Sequence, residues 1–264
     1  MICLMDQELM PMKSIFTFAI VTGTLVGLAL GARADDAGVD GVSGGPEFTH
    51  GKHSTIQMVS ETVDITIDKS DNYTTDANFL FQNFGPAITV QMGFPESGGG
   101  DTGGATSTFC SFRTWVDGQE VKATRHLLNN KDQEVSALWI KTVAFPAHSV
   151  RRVRVVYRSE YGGEVGSYLE ENVLYTFTGG NWRGSVKSAV LTVHLNRPGT
   201  YLLNWDCGKS HPVFRQAGHD FIYTWRNWQA EDDFGFYFVS TLRDFLLQPD
   251  DPVVLGGNAP RSFL

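Results

Sequence analysis

Three cysteines (Cys3, Cys110 and Cys207), seven histidines and several paired carboxylates are the residues of this chain with the types needed for catalysis or metal binding. Nucleophilic catalysis requires a Ser or Cys with a base in reach and a third group that orients the base. No SxxK occurs, and neither Cys110 nor Cys207 sits in a recognisable nucleophile signature. There is no HExxH for metal-assisted hydrolysis and no CxxC or Cys/His pattern for structural zinc. His50 and His53 form HGKH. An HxxH pair in a polar lead-in preorganises nothing, so metal binding there is the weaker reading. Acidic doublets stand at Glu170-Glu171, Asp232-Asp233 and Asp250-Asp251. Neighbours on a strand point to opposite faces, which makes such doublets poor acid–base pairs. No catalytic residue, metal site or cofactor is expected.

Aromatic residues offer the better binding candidates. Trp182 and Arg183 lie in the glycine-flanked turn GGNWRG, and Trp225 and Trp228 bracket Arg226 and Asn227 ahead of Asp232 and Asp233. Exposed indoles with polar neighbours can stack on a sugar ring and hydrogen-bond its hydroxyls; buried ones are core or corner residues. Arg151, Arg152, Arg154 and Arg158 crowd one strand. They read either as a clamp for phosphate or carboxylate, or as a solvated sheet face that discourages edge pairing; the second is simpler.

These residues must be held by β structure. Of the 264 residues 42% are hydrophobic, 12% aromatic and only 19% charged, with 28 glycines. That is more aromatic and less charged than an average domain, at roughly 25% charged, and excludes a disordered chain. A net charge of −8 argues against a nucleic-acid partner, which needs a basic surface. Alternation of apolar and polar residues begins at Thr55. Val59, Val63, Ile65 and Ile67 share one face; Ala77, Phe79 and Phe81 follow, then Ile88, Val90, Met92 and Phe94. Asp117-Gly118 marks a hairpin between alternating runs. Strands are also expected at 135–145, 149–158, 168–178, 186–195, 201–205, 220–228 and 234–240. Short helices are expected only near 126–132 and 242–247. The glycine-rich stretch 97–107 lacks the GxxxxGK[ST] of a phosphate cradle and reads as a surface loop.

The front of the chain reads as an export signal. Lys13 precedes an apolar run over 15–30 and Ala32-Arg33-Ala34 supplies a small-x-small site, so cleavage after Ala34 and a true start at Met12 are expected. The product is periplasmic or secreted, with no transmembrane anchor. In an oxidising compartment Cys110 and Cys207 form a disulfide or remain two separate buried thiols; the sequence leaves both open. The expected organisation is a signal peptide (1–34), a disordered linker (35–54), a β-sandwich domain (55–160), a second β domain (161–245) and a C-terminal tail (246–264). The fold class is all-β: two small antiparallel, Ig-like β-sandwich domains, or one extended sandwich.

Four segments carry a resemblance. FLFQNFGPAITVQMGFPE (79–96), SFRTWVDGQEV (111–121), VRRVRVVYRSEYG (150–162) and LYTFTGGNWRGSVKSAVLTVHL (174–195) resemble an uncharacterised family of bacterial secreted β-sandwich proteins, a domain of unknown function. The first half is also similar in plan to vault/inter-alpha-trypsin-type domains. The resemblance implies a cell-envelope protein and transfers no catalytic residue. Together with the residues it yields a non-enzymatic extracytoplasmic binding or envelope-structural module, with an envelope protein or a glycan as partner. The alternative is a carbohydrate-active protein, lectin-like or a glycosidase, using the tryptophan surface.

Overall fold

The computed structural model describes residues 37–42, 45–48, 53–97, 107–128, 135–165, 169–177, 181–198, 200–206, 211–229 and 233–239. Its strands are β1 (Ala37–Val42), β2 (Gly45–Phe48), β3 (Ile56–Ile67), β4 (Asn72–Asn83), β5 (Ile88–Ser97) and β6 (Phe109–Val116). After them come β7 (Gln119–Val121), β8 (Thr124–Leu127), β9 (Val135–Phe145), β10 (Val150–Glu160), β11 (Gly162–Val165) and β12 (Leu169–Thr176). The chain continues through β13 (Val186–Leu195), β14 (Tyr201–Asp206), β15 (Val213–Ala217), β16 (Asp220–Trp228) and β17 (Asp233–Val239). The all-β class read from the sequence is the observed one.

An eight-stranded sheet, ordered β15-β16-β13-β3-β4-β10-β6-β7, forms the backbone of the molecule. A five-stranded sheet, β2-β1-β5-β9-β8, and a four-stranded sheet, β11-β12-β17-β14, complete it. Register across the large sheet aligns the core in rows. Val155, Ala77, Val63, Leu191 and Tyr223 make one row, and Tyr157, Thr75, Ile65, Val193 and Phe221 the next. All ten are buried. The five-stranded sheet covers one end of this face, where the Phe94 ring lies 5.5 Å from Tyr157 and Phe145 meets Phe81. The four-stranded sheet is tied to the other end, where the Tyr175 hydroxyl donates to Glu61 Oε1 at 2.8 Å. The Asp117-Gly118 turn forms as expected, with φ of 49° and 82° at its two central residues. Glycine takes the second at no steric cost.

Several expectations need correction. The lead-in read as disordered contains the hairpin β1–β2, whose β1 also pairs with β5 through Ala37↔Gly93 and Gly38↔Met92. Backbone pairing to an open sheet edge requires no apolar pattern, so composition did not reveal it. Val59 is not on the core face. A register shift between Met58 and Ser60 moves it out, and Ile56 and Met58 take the buried positions before Glu61 and Val63. The start of the helix expected near 126–132 is strand: β8 pairs with β9 through His126↔Leu138 and Leu127↔Ala137. The 160/161 boundary does not separate two sheets. Strand β13 lies parallel to β3, from Ser188↔Ser60 to Leu195↔Ile67, so residues from both sides of the boundary share the eight-stranded sheet. The signal segment, the 242–247 helix and the 246–264 tail lie outside the described residues.

Candidate functional site

The candidate tryptophans do not form an exposed surface. The 181–184 turn folds onto the end of the large sheet, with Arg183 N donating to Ile56 O at 2.8 Å and His53 N donating to Asn181 O at 2.7 Å. Trp182 is thereby buried, with its ring 5.0 Å from Phe81 and 5.8 Å from His53. His53 is no metal arm either. Its Nδ1 accepts from Ile56 N at 3.2 Å and Thr55 N at 3.3 Å, which caps the start of β3. Trp225 is also buried, stacked 5.1 Å from Trp228 and packed against Phe177. Trp228 is half-buried. Neither Trp182 nor Trp225 offers a free ring face, so the three do not make a sugar platform: alternation on β16 turns Trp225 inward, and closing the core draws in Trp182. Arg183 is exposed, its guanidinium 4.9 Å over the Phe84 ring. Asp232 lies outside the described residues, and Asp233 opens β17. Cys110 is exposed, with its Sγ donating to Asn72 Oδ1 at 3.0 Å; Cys207 lies outside the described residues.

The arginine strand is a face of ion pairs. On the outer face of the large sheet Arg154 makes two bonds to Asp76, and Arg113 makes two to Glu120 at 2.7 and 2.9 Å. Both guanidiniums sit over Trp115, at 5.0 Å and 4.9 Å from its ring centre. Arg151 instead binds Asp117 and donates to Ala144 O at 2.9 Å. Of the two readings of this run, the geometry supports the solvated face, with Arg151 and Arg154 paired to acids and Arg152 exposed. Farther along the same face His194 stands between two acids, Nδ1 2.8 Å from Asp220 and Nε2 3.2 Å from Asp64. Burial alone would lower its pKa, but the bonds to Asp220 and Asp64 outweigh it and raise it above the ordinary imidazole value. With both ring nitrogens engaged, His194 has no lone pair aimed at a metal, and no group of His, Cys and acids among the described residues is arranged to hold one.

Sequence reading missed a wholly buried acid, Glu96. It continues the alternation of Val90, Met92 and Phe94. Its Oε2 accepts from Trp139 Nε1 at 2.7 Å and Arg125 Nε at 2.9 Å. Its Oε1 accepts from Arg125 Nη2 and Thr108 N, both at 2.9 Å. Burial pushes the carboxyl up, yet these bonds together outweigh it and hold Glu96 below the usual carboxylate range. The signal was present: an acid at a core-parity position demands a buried partner. Glu61 carries the same signal, preceding Val63 and Ile65 on the apolar face, and it receives Tyr175 from the opposing sheet.

No family model and no curated protein matches the chain. Among solved structures the chain is similar to a Legionella pneumophila protein described provisionally as nutrient binding, at 21% identity and a TM-score of 0.59 over 76% of this chain and 74% of that one. An M1 zinc metallopeptidase from Deinococcus radiodurans aligns at 10% identity and a TM-score of 0.36, over 71% of this chain and 43% of the enzyme. Leukotriene A4 hydrolase from Saccharomyces cerevisiae aligns at 8% identity and a TM-score of 0.37, over 69% of this chain and 29% of the enzyme. The first likeness is one of fold; the two enzymes are too distant in structure to carry an argument. The vault/inter-alpha-trypsin plan has no counterpart among these three.

Proposed function

We propose that this chain is a non-enzymatic, exported binding module of the cell envelope. One observation carries the reading: the acid–base side chains described here serve as struts. Glu96 spends both oxygens on Arg125, Trp139 and a backbone N–H, Glu61 receives the Tyr175 hydroxyl between sheets, and His194 is clasped by Asp64 and Asp220. A general acid or base must instead be within reach of a substrate proton. The apolar run and small-x-small site before Asp35 support export. The fold shared with a provisionally assigned nutrient-binding protein supports binding of a small solute over turnover.

The test is a paired screen on the processed chain from Asp35 onward. Solute, glycan and peptidoglycan ligands are assayed by ligand-induced thermal shift, and ester, peptide and glycoside substrates by product release. A saturable shift with at least one solute or glycan and no turnover is the expected outcome. Catalysis that disappears on replacing a single acid or histidine overturns the proposal.

A further inference from the structure

At one end of the sandwich two turns meet. Residues 84–87 join β4 to β5 and residues 146–149 join β9 to β10. Asn83 bolts them together: its Nδ2 donates to Pro86 O at 2.7 Å and to Pro146 O at 3.0 Å, and its Oδ1 accepts from Gly85 N at 3.0 Å. His148 N donates across to Gly85 O at 3.1 Å. The turns are therefore a rigid platform.

Phe84 (37% exposed), Ile88 (39%) and Val150 (49%) stand on it, three of the five large apolar side chains that remain exposed among the described residues. Beside them Arg183 lies over Phe84, and Arg152 and Lys187 are exposed at the ends of β10 and β13. Four of the segments at this end, 53–55, 83–88, 146–150 and 181–185, contain no carboxylate, in a chain with 29 acids against 21 Lys plus Arg. Of the carboxylates near this end, Asp117 is bound by Arg151, and Asp233 opens β17 opposite Thr176 in the four-stranded sheet. Asp64, Asp68, Asp71 and Asp220 lie toward the opposite end of the sheet, past the midpoint of β3. Among the described residues this end is thus apolar with exposed cations, whereas the opposite end mixes acids with Lys69 and Arg158.

We propose that this end docks on an anionic phospholipid surface, with Phe84, Ile88 and Val150 entering the headgroup region and Arg183, Arg152 and Lys187 meeting the phosphates. Apolar tips ringed by cations suit that environment, because burial of apolar area and attraction to anionic lipid add. A second copy fits less well, since it would oppose cationic end to cationic end. A peptide fits less well too, because strand addition uses a sheet edge and these residues lie where strands end. The inference stands apart from the solute-binding proposal, and either can fail alone.

The experiment is vesicle flotation of the chain from Asp35 onward, which contains every described residue and lacks the apolar 15–30 segment. Phosphatidylcholine vesicles are compared with vesicles containing phosphatidylglycerol. The parent is expected to float only with the anionic vesicles. R183E and, separately, the pair F84S/V150S each lower the bound fraction about tenfold, while K69E at the opposite end leaves it unchanged. Thermal unfolding of each variant checks its fold, with K187E replacing any variant that melts early. The proposal is overturned if the parent does not float, or if the variants float like the parent. Displacement by millimolar glycerol phosphate would reassign the contact to a soluble phosphate site, and preferential capture of an acidic peptide would reassign it to a protein partner; both sink the membrane reading.

Discussion

Glu96 and His194 are both titratable groups held by charged partners, but their surroundings give them opposite pH signatures. Glu96 is wholly buried and its Arg125 partner is largely so. Removing the carboxylate would break both of its bonds to the Arg125 guanidinium and take the acceptor from the Trp139 N–H, so E96A is expected to cost about 3–5 kcal/mol in urea unfolding. E96Q keeps an acceptor and should cost less. Because the folded pKa of Glu96 is lowered, its stabilisation is present above the ordinary carboxylate value and is lost as pH falls through the lower folded value. His194 behaves in reverse. Its folded pKa is raised, so its contribution is complete below the ordinary imidazole value and is lost as pH rises through the folded one. The melting temperature should decline over that alkaline-side window, and H194Q should flatten the decline. Asp64 and Asp220 are about 40% exposed, so added salt should shrink the same effect. A decline that survives in H194Q would place the titration elsewhere.

At the scale of elements, what could be read in the sequence divides by the kind of interaction that forms each strand. Strands β4, β10 and β13 were legible because each buries alternate side chains, and period two is written directly into Ala77-Phe79-Phe81, Val153-Val155-Tyr157 and Ala189-Leu191-Val193. Strand β3 was legible except at Val59, where a bulge inserts a residue whose presence no local pattern marks. The β1–β2 hairpin and the parallel β3–β13 pair were not legible. The hairpin and, between segments far apart in the chain, the β1–β5 and β3–β13 pairings rest on backbone bonds, which are blind to side-chain type. The candidate tryptophans failed for a related reason: a glycine-flanked turn looks exposed in sequence, and only the tertiary bonds of Arg183 to Ile56 and of His53 to Asn181 bury Trp182. The same division sets local stability. Amide hydrogen exchange should be slowest in the centres of β3, β4, β10 and β13, which are paired on both sides over buried rows. It should be faster in β15, the edge strand of the large sheet among the described residues, whose Val213 is 73% exposed. Protection of β15 equal to that of β13 would contradict this order.

For the whole molecule the decisive element is β13. It comes from the second half of the chain, yet it lies between β3 from the first half and β16 from the second. The rows through Val63, Leu191 and Tyr223 are continuous across all three. A fragment ending at residue 160 would therefore keep β3 with one side unpaired. Val63, Ile65 and Ile67 would lose the β13 neighbours beside them, and Glu61 would lose the Tyr175 hydroxyl that meets it in the core. Losing a hydrogen bond to a buried carboxylate on an apolar face costs about 1–3 kcal/mol. The two halves should not fold independently. Fluorescence of the six tryptophans and far-ultraviolet circular dichroism should report one coincident urea transition for the intact chain, and fragment 53–160 should show no cooperative transition of its own. Strand β3 could in principle be shielded by a second fragment copy, so the fragment is to be tested at low concentration. Two separated transitions in the intact chain, or a cooperative fragment that stays monomeric, would mean that the shared sheet does not couple the halves.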